Sequence, residues 1–181
     1  MPKVEVRRPS IEDVEELHTF FRNVITDIFA KEGIGDKLDD IEEEIKEKHI
    51  YLERDFQSKG EDRYFLIALD SDKIIGSIEY GPASNLISHC TNNALAALVE
   101  VGTVFVHPDY QRQGVGNLLL NTIYRSLHKR GIGEFCLDSG YRSAQKIWKK
   151  KFGEPDYLLQ DYWGLGYDHM IWRIRLSDLI S

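Results

Sequence analysis

The stretch that decides the fold is 104-VFVHPDYQRQGVGNLLL-120. An apolar run ends at His107-Pro108. Gln111-Arg112-Gln113-Gly114-Val115-Gly116 follows, and the apolar residues then resume at helical spacing, with Leu119, Leu120, Ile123 and Leu127 on one stripe. The seam therefore joins a strand to a helix through a glycine-bearing turn. A helix N-terminus carries unpaired N–H groups and a partial positive charge. Glycines let an anion approach the backbone, and an arginine adds a permanent cation that fits phosphate oxygens. Together these features predict a phosphate-binding site. The dinucleotide fingerprint G-x-G-x-x-G fails because position 119 is Leu, and no Gly-Lys-Ser/Thr follows. What remains is Q-x-x-G-x-G at Gln111, Gly114 and Gly116.

Outward from this seam the pattern is regular. Residues 3–8 alternate as a short strand before Pro9, and Ser10 with Asp13 resembles a capping box. Val14, Leu17, Phe21, Val24, Ile25 and Ile28 predict a helix over 11–31, broken at Gly33 and Gly35. A second helix starts near Asp39, with Leu38, Ile41, Ile45, Leu52 and Phe56 as its stripe. Residues 63–70 and 73–81 read as a hairpin turning at Asp70-Ser71-Asp72. Residues 82–95 are rich in Ser and Asn and read as a loop. Leu98–Val106 is a long apolar strand, and 116–130 is a helix ended by Gly131. A strand at 134–139, a helix at 142–152, and strands at 157–163 and 168–176 complete the chain. The order β-α-α-β-β-β-α-β-α-β-β, without repeat or linker, predicts one α+β domain over 1–181. The strand–helix–strand unit from 98 to 138 requires a parallel pair through a right-handed crossover, and the other neighbours are hairpins, so the sheet is mixed.

Composition bounds the function. The chain has 181 residues, 42% hydrophobic and 29% charged, and a formal net charge of −7. This is ordinary globular composition, and it argues against binding nucleic acid backbones, which need a basic patch. The acidic run 39–48 carries Ile41 and Ile45 and reads as a solvated helix face. Cys90 and Cys136 form no C-x-x-C pair, and His18 and His49 lie beside the helix stripes without a carboxylate cluster, so no metal site is expected. No apolar stretch is long enough for a membrane span. The cytoplasm is the expected compartment.

The Q-x-x-G-x-G loop between a long apolar strand and an amphipathic helix resembles the acetyl-CoA pyrophosphate loop of the GCN5-related N-acetyltransferase (GNAT) family. The resemblance covers nearly the whole element order, and it implies a mostly antiparallel central sheet with helices on both faces. It implies acetyl-CoA as co-substrate and an amine-bearing small molecule or peptide as acceptor. The pantetheine arm would bond the backbone of Val104, Phe105 and Val106. The pyrophosphate would take amides from Gln111, Arg112, Gln113, Gly114, Val115 and Gly116, with Asn117.

Neutralising a lysine-like amine at pH 7 costs about 4.6 kcal/mol, so a general base is useful. Glu100 is the single charge in 98-LVEVGTVFV-106, and strand alternation puts it on the face of Leu98, Gly102, Val104 and Val106. The family's glutamate base, where present, lies at this place. The other reading of Glu100 is a salt-bridged edge carboxylate, and Glu79 is the second candidate for base or substrate contact. The family's usual tyrosine acid belongs to a motif anchored here by Ala144. Trp148 holds the Tyr position and Tyr141 the Asn position, and the ending is Phe152-Gly153 rather than Gly-Phe. Tyr141, Tyr157 and Tyr162 remain open for that role. Trp148 in the acid position also motivates an alternative class, a non-catalytic acyl-CoA binding or sensing module. A transferase using another acyl-CoA is a third reading. The aromatic stretch 157–172 raises a possible homodimer.

Overall fold

The computed structural model describes residues 3–180, so the single-domain reading of 1–181 includes Met1, Pro2 and Ser181, which lie outside the described residues. Among the described residues, seven strands follow the hydrogen-bonded order β1-β2-β3-β4-β5-β7-β6. They are β1 (Val4–Arg7), β2 (Tyr64–Asp70), β3 (Lys73–Pro82), β4 (Val99–Val106), β5 (Glu134–Ser139), β6 (Tyr157–Leu159) and β7 (His169–Arg175). Pairs β1–β2, β2–β3, β5–β7 and β6–β7 are antiparallel, and β4–β5 is parallel as the crossover requires. The helices are α1 (Val14–Lys31), α2 (Leu38–Ser58), α3 (Asn85–Cys90), α4 (Val115–Lys129) and α5 (Arg142–Phe152). This is the mixed, mostly antiparallel α+β architecture expected. The packing forms two compact units. One comprises the described residues up to Tyr80 with Thr103–Ser126, and the other Gly81–Gly102 with the described residues from Leu127 onward.

In the first unit, Leu17, Phe21 and Ile25 of α1 and Ile41, Ile45 and Leu52 of α2 are buried with Phe65 and Ile67 of β2 and Ile75 and Ile78 of β3. Each such side chain contributes roughly 1.5–3 kcal/mol of hydrophobic stabilisation. The capping prediction at the start of this region holds: Asp13 Oδ2 accepts the N–H of Ser10 at 2.7 Å. Buried Asp55 of α2 takes the Arg8 guanidinium and the Phe65 N–H (2.7 Å), tying the helix to β2. Leu38 departs from the predicted stripe; it is 68% exposed because it opens the helix before the apolar face begins. The β2–β3 turn has φ of 47° at Ser71 and 71° at Asp72, the two consecutive positive values of a tight hairpin turn.

In the second unit, Ile87, Leu95, Cys136 and Ile171 form a buried cluster with Leu98, Tyr157 and Leu159 against it. The 82–95 segment is not all loop. Ser84 caps a short helix, its Oγ accepting the Ile87 N–H at 3.2 Å. Trp172 is buried and donates to the Gly153 carbonyl at 2.9 Å, closing the end of α5.

Candidate active site

The first unit carries the predicted phosphate loop. After β4, a single 3-10 turn spans Pro108–Tyr110, Gln111 returns to extended backbone, and α4 begins at Val115. Arg112 (φ 61°) and Gly114 (φ 87°) adopt left-handed backbone, which reverses the chain so that the first turn of α4 opens outward. Gln111, Arg112, Gln113 and Gly114 are exposed, Val115 is buried, Gly116 is half-buried and Asn117 is exposed. The loop is tied to the strand end: Gln111 Nε2 donates to the Val106 carbonyl at 3.2 Å, and Gln113 Nε2 to the Asp109 carbonyl at 3.3 Å. His107 secures the other side, its N–H donating to the Ile75 carbonyl at 2.8 Å. Space for an anion is present. A Cβ built at Gly114 meets nothing within 4 Å, and one at Gly116 meets only Val106 Cγ2 at 3.8 Å. The residues therefore fit a pyrophosphate: an open helix N-terminus, small residues where it would approach, and the exposed guanidinium-bearing Arg112.

Val104, Phe105 and Val106 are half-buried at the end of β4. The alternation expected along this strand fails at Thr103, whose φ is +51°. A left-handed residue inside a strand breaks the period of two, so the count that placed Glu100 on the face of Val104 and Val106 does not carry past it. Beyond Thr103, the Phe105 ring lies 6.2 Å from the Phe21 ring of α1, edge-on, whereas Val106 reaches toward Gly116 of α4. For a β-branched residue this backbone costs on the order of 1–3 kcal/mol and persists only where neighbours enforce it.

Those neighbours were not legible in the sequence. Ser77 Oγ donates to the Thr103 carbonyl at 2.9 Å, and Thr103 Oγ1 donates to Glu79 Oε1 at 3.2 Å. Arg63 donates to the other Glu79 oxygen at 2.5 Å and lies over the Tyr51 ring, 3.7 Å from its centroid. Glu79 is 1% exposed. Burial pushes its carboxyl above the ordinary carboxylate range, and Arg63 and Lys48 pull it the opposite way. The Arg63 Nε is buried without an acceptor.

In the second unit, Glu100 is half-buried and its Oε1 accepts the Ser84 N–H at 2.8 Å. Trp148, at the place of the family's tyrosine, is buried and stacks on Phe152 with ring centroids 5.7 Å apart. Tyr141 is the N-cap of α5 and half-buried, while Tyr162 is 43% exposed. Buried His169 is held between Asp138, with Nε2 to Oδ2 at 2.8 Å, and Trp163, whose indole N–H donates to Nδ1 at 3.0 Å. Among the described residues no group of His, Cys, Asp and Glu side chains is arranged to hold a metal ion. None of the described helices is long and apolar enough to cross a membrane.

The sequence profile of the acetyltransferase (GNAT) family matches residues 25–153. The chain belongs to this family and is an acyltransferase with acetyl-CoA as co-substrate. Solved structures agree in fold. The PaiA N-acetyltransferase of Thermoplasma acidophilum, in complex with coenzyme A, is 25% identical, with 95% of this chain and 99% of that one covered at a TM-score of 0.67. The Salmonella typhimurium protein yncA, with its cofactor acetyl-CoA, is 14% identical over 96% of this chain and 94% of that one, with a TM-score of 0.66. The ribosomal-protein-S18-alanine N-acetyltransferase of Escherichia coli is 15% identical over 96% and 94%, with a TM-score of 0.61. No curated protein sequence matches the chain.

Proposed function

We propose that this chain is a single N-acetyltransferase domain that moves an acetyl group from acetyl-CoA to a primary amine of a small molecule or peptide, with Glu100 as the general base. The observation that carries the reading is the open, left-handed Gln111–Gly116 turn at the start of α4, in a chain of the GNAT family. Its neighbours include an enzyme of ribosomal-protein alanine and an aminoglycoside 6'-acetyltransferase, which supports an amine acceptor. Acetyl-CoA, when bound, supplies an activated acetyl group on a thioester. The amides from Gln111 to Asn117 and the Arg112 guanidinium would bind its pyrophosphate, and the backbone of Val104–Val106 would hold its arm.

Glu100 suits the base better than Glu79. A base must reach the amine proton directly or through one water. Glu79 is 1% exposed and bonded on both oxygens, whereas Glu100 is only half-buried. Buried Trp148 has no acidic proton to give, so the thiol leaves without the family's tyrosine. A thiol of ordinary pKa near 8.5 needs only about 2 kcal/mol to leave as thiolate at pH 7.

The proposed compartment is the cytoplasm, in keeping with the two free cysteines. A homodimer through the late strands is supported by Leu158, Trp163 and Leu165, which are 57%, 51% and 90% exposed. Light scattering that gives a monomer mass at every concentration removes it. The test of function is a screen of amine acceptors with free thiol release as the readout. Release that depends on both acetyl-CoA and an amine supports the reading, and release with no amine in any class overturns it.

A further inference from the structure

Thr103 is a β-branched residue held at φ +51° inside a strand, a conformation its own side chain disfavours. Two side chains of β3, two residues apart and so on one face, converge on it from Ser77 and Glu79. Ser77 Oγ donates to the Thr103 carbonyl at 2.9 Å, and Glu79 Oε1 accepts from the Thr103 hydroxyl at 3.2 Å. Glu79 is itself fixed by Arg63, which rests on the Tyr51 ring. Ser77, Glu79 and Thr103 are 0%, 1% and 5% exposed, so water cannot replace a lost partner.

We propose that Ser77 and Glu79 are positioning residues of the acetyl-CoA site: they clamp Thr103 in its left-handed turn and thereby set which way the peptide groups of Val104–Val106 point. The inference rests on the reading that those three residues hold the cofactor's arm. In a strand, successive peptide groups point to opposite sides, and a left-handed residue resets that phase for everything after it. Relaxation of Thr103 to ordinary extended backbone would turn the amides and carbonyls of Val104 to Val106 away from their present directions. The second hydrogen bond matters because each β3 partner controls a different part of Thr103. Ser77 fixes the carbonyl and hence the peptide plane leading into Val104. Glu79 fixes the side chain and hence the rotation about the residue itself. Glu79 touches neither solvent nor the loop, so its contribution to the reaction passes through Thr103.

The test uses Thr103→Ser, Thr103→Ala and Ser77→Ala in the full chain. Ser and Ala both carry a Cβ, so both feel the positive φ, but only Ser keeps the hydroxyl for Glu79. The first readout needs no cofactor. Backbone amide shifts of Val104–Val106 in the free protein should move in Thr103→Ala and Ser77→Ala and stay near wild type in Thr103→Ser, with Leu66–Ala68 of β2 unchanged. The second is titration with acetyl-CoA: Kd should rise at least tenfold in the two alanine variants and less than threefold in the serine variant. Unmoved shifts in the alanine variants overturn the clamp. Moved shifts with unchanged Kd overturn its role at the cofactor site. Thr103→Ser matching Thr103→Ala also overturns it, because the hydroxyl would then be irrelevant. Failure of the underlying reading looks different: wild type itself would not bind acetyl-CoA, while the amide shifts would still decide whether the clamp exists.

Discussion

The Glu100 carboxylate accepts the backbone N–H of Ser84 at 2.8 Å, and Ser84 in turn caps α3. Glu100 therefore has a structural partner as well as its proposed chemistry, and the choice of substitution decides which of the two is tested. Glu100→Gln keeps an oxygen for Ser84 and removes the basic group. Turnover at neutral pH should fall by about 10²–10⁴, the usual contribution of a positioned base, with acetyl-CoA affinity unchanged. The deficit should shrink as pH rises toward the amine pKa, where free amine is abundant. The check is a pH profile of kcat/KM for both proteins. Profiles that run parallel within a factor of about three would move the base elsewhere.

Gly114→Glu addresses the loop. At φ +87° the site disfavours any side chain, but a Cβ there meets nothing within 4 Å, so the fold should survive with a loss of about 1 kcal/mol. The new carboxylate would stand where the pyrophosphate charge belongs and repel it. Calorimetric titration should show acetyl-CoA binding weakened at least tenfold. Gly114→Ala, strained equally but uncharged, should lose far less affinity. Equal affinities for wild type and Gly114→Glu would remove the loop from the cofactor site.

The thiols make a third prediction, which also bears on any assay that reads free thiol. Burial pushes the Cys136 thiol up to about 12, with Glu100 and Asp138 adding to the shift, and its Sγ donates to the Val99 carbonyl at 3.5 Å. At pH 8 almost none of it is thiolate, the form that reacts. Native protein should therefore titrate at most one thiol with a disulfide reagent, that of half-buried Cys90, and two after unfolding. Two fast thiols in the native protein would mean that the β5 core opens readily.

Local chemistry and the parallel β4–β5 pair were legible in the sequence, and the side-chain hydrogen bonds between strands were not. The β2–β3 turn was readable from Asp70-Ser71-Asp72 because such residues tolerate positive φ, and β5 was readable at 134–139 because its apolar run is bounded by glycines and ends in Ser. The phosphate loop was readable because glycine spacing acts over a few residues. Thr103 gave no signal, since a β-branched residue in an apolar run predicts regular strand. Its left-handed turn is imposed by Ser77 and Glu79, 26 and 24 residues away in sequence. The short α3 was hidden among Ser and Asn residues that favour caps and turns, and one of them, Ser84, is its cap.

Arg63 and Glu79 form a buried ion pair. Glu79 is fully desolvated, and Arg63 donates to it directly while Lys48 adds to the pull of the cation. Removing the cation leaves a buried charge uncompensated, which costs about 3–5 kcal/mol, whereas replacing both partners by apolar groups is often near neutral. The sign of the pH dependence follows from the raised carboxyl. A carboxyl whose pKa is higher folded than unfolded keeps its proton longer in the native state, so stability falls as pH climbs from its ordinary value near 4.3 to the folded value. Arg63 holds that folded value down, and Arg63→Met releases it upward. Urea unfolding of Arg63→Met should therefore show a loss of about 3–5 kcal/mol at pH 7 that shrinks as pH falls toward 4, where Glu79 is protonated in both states. Arg63→Met combined with Glu79→Met should recover most of the loss at pH 7. A deficit that is the same at pH 4 and pH 7, and that the double variant does not relieve, would mean that Arg63 stabilises the fold through its packing on Tyr51 rather than through the charge of Glu79.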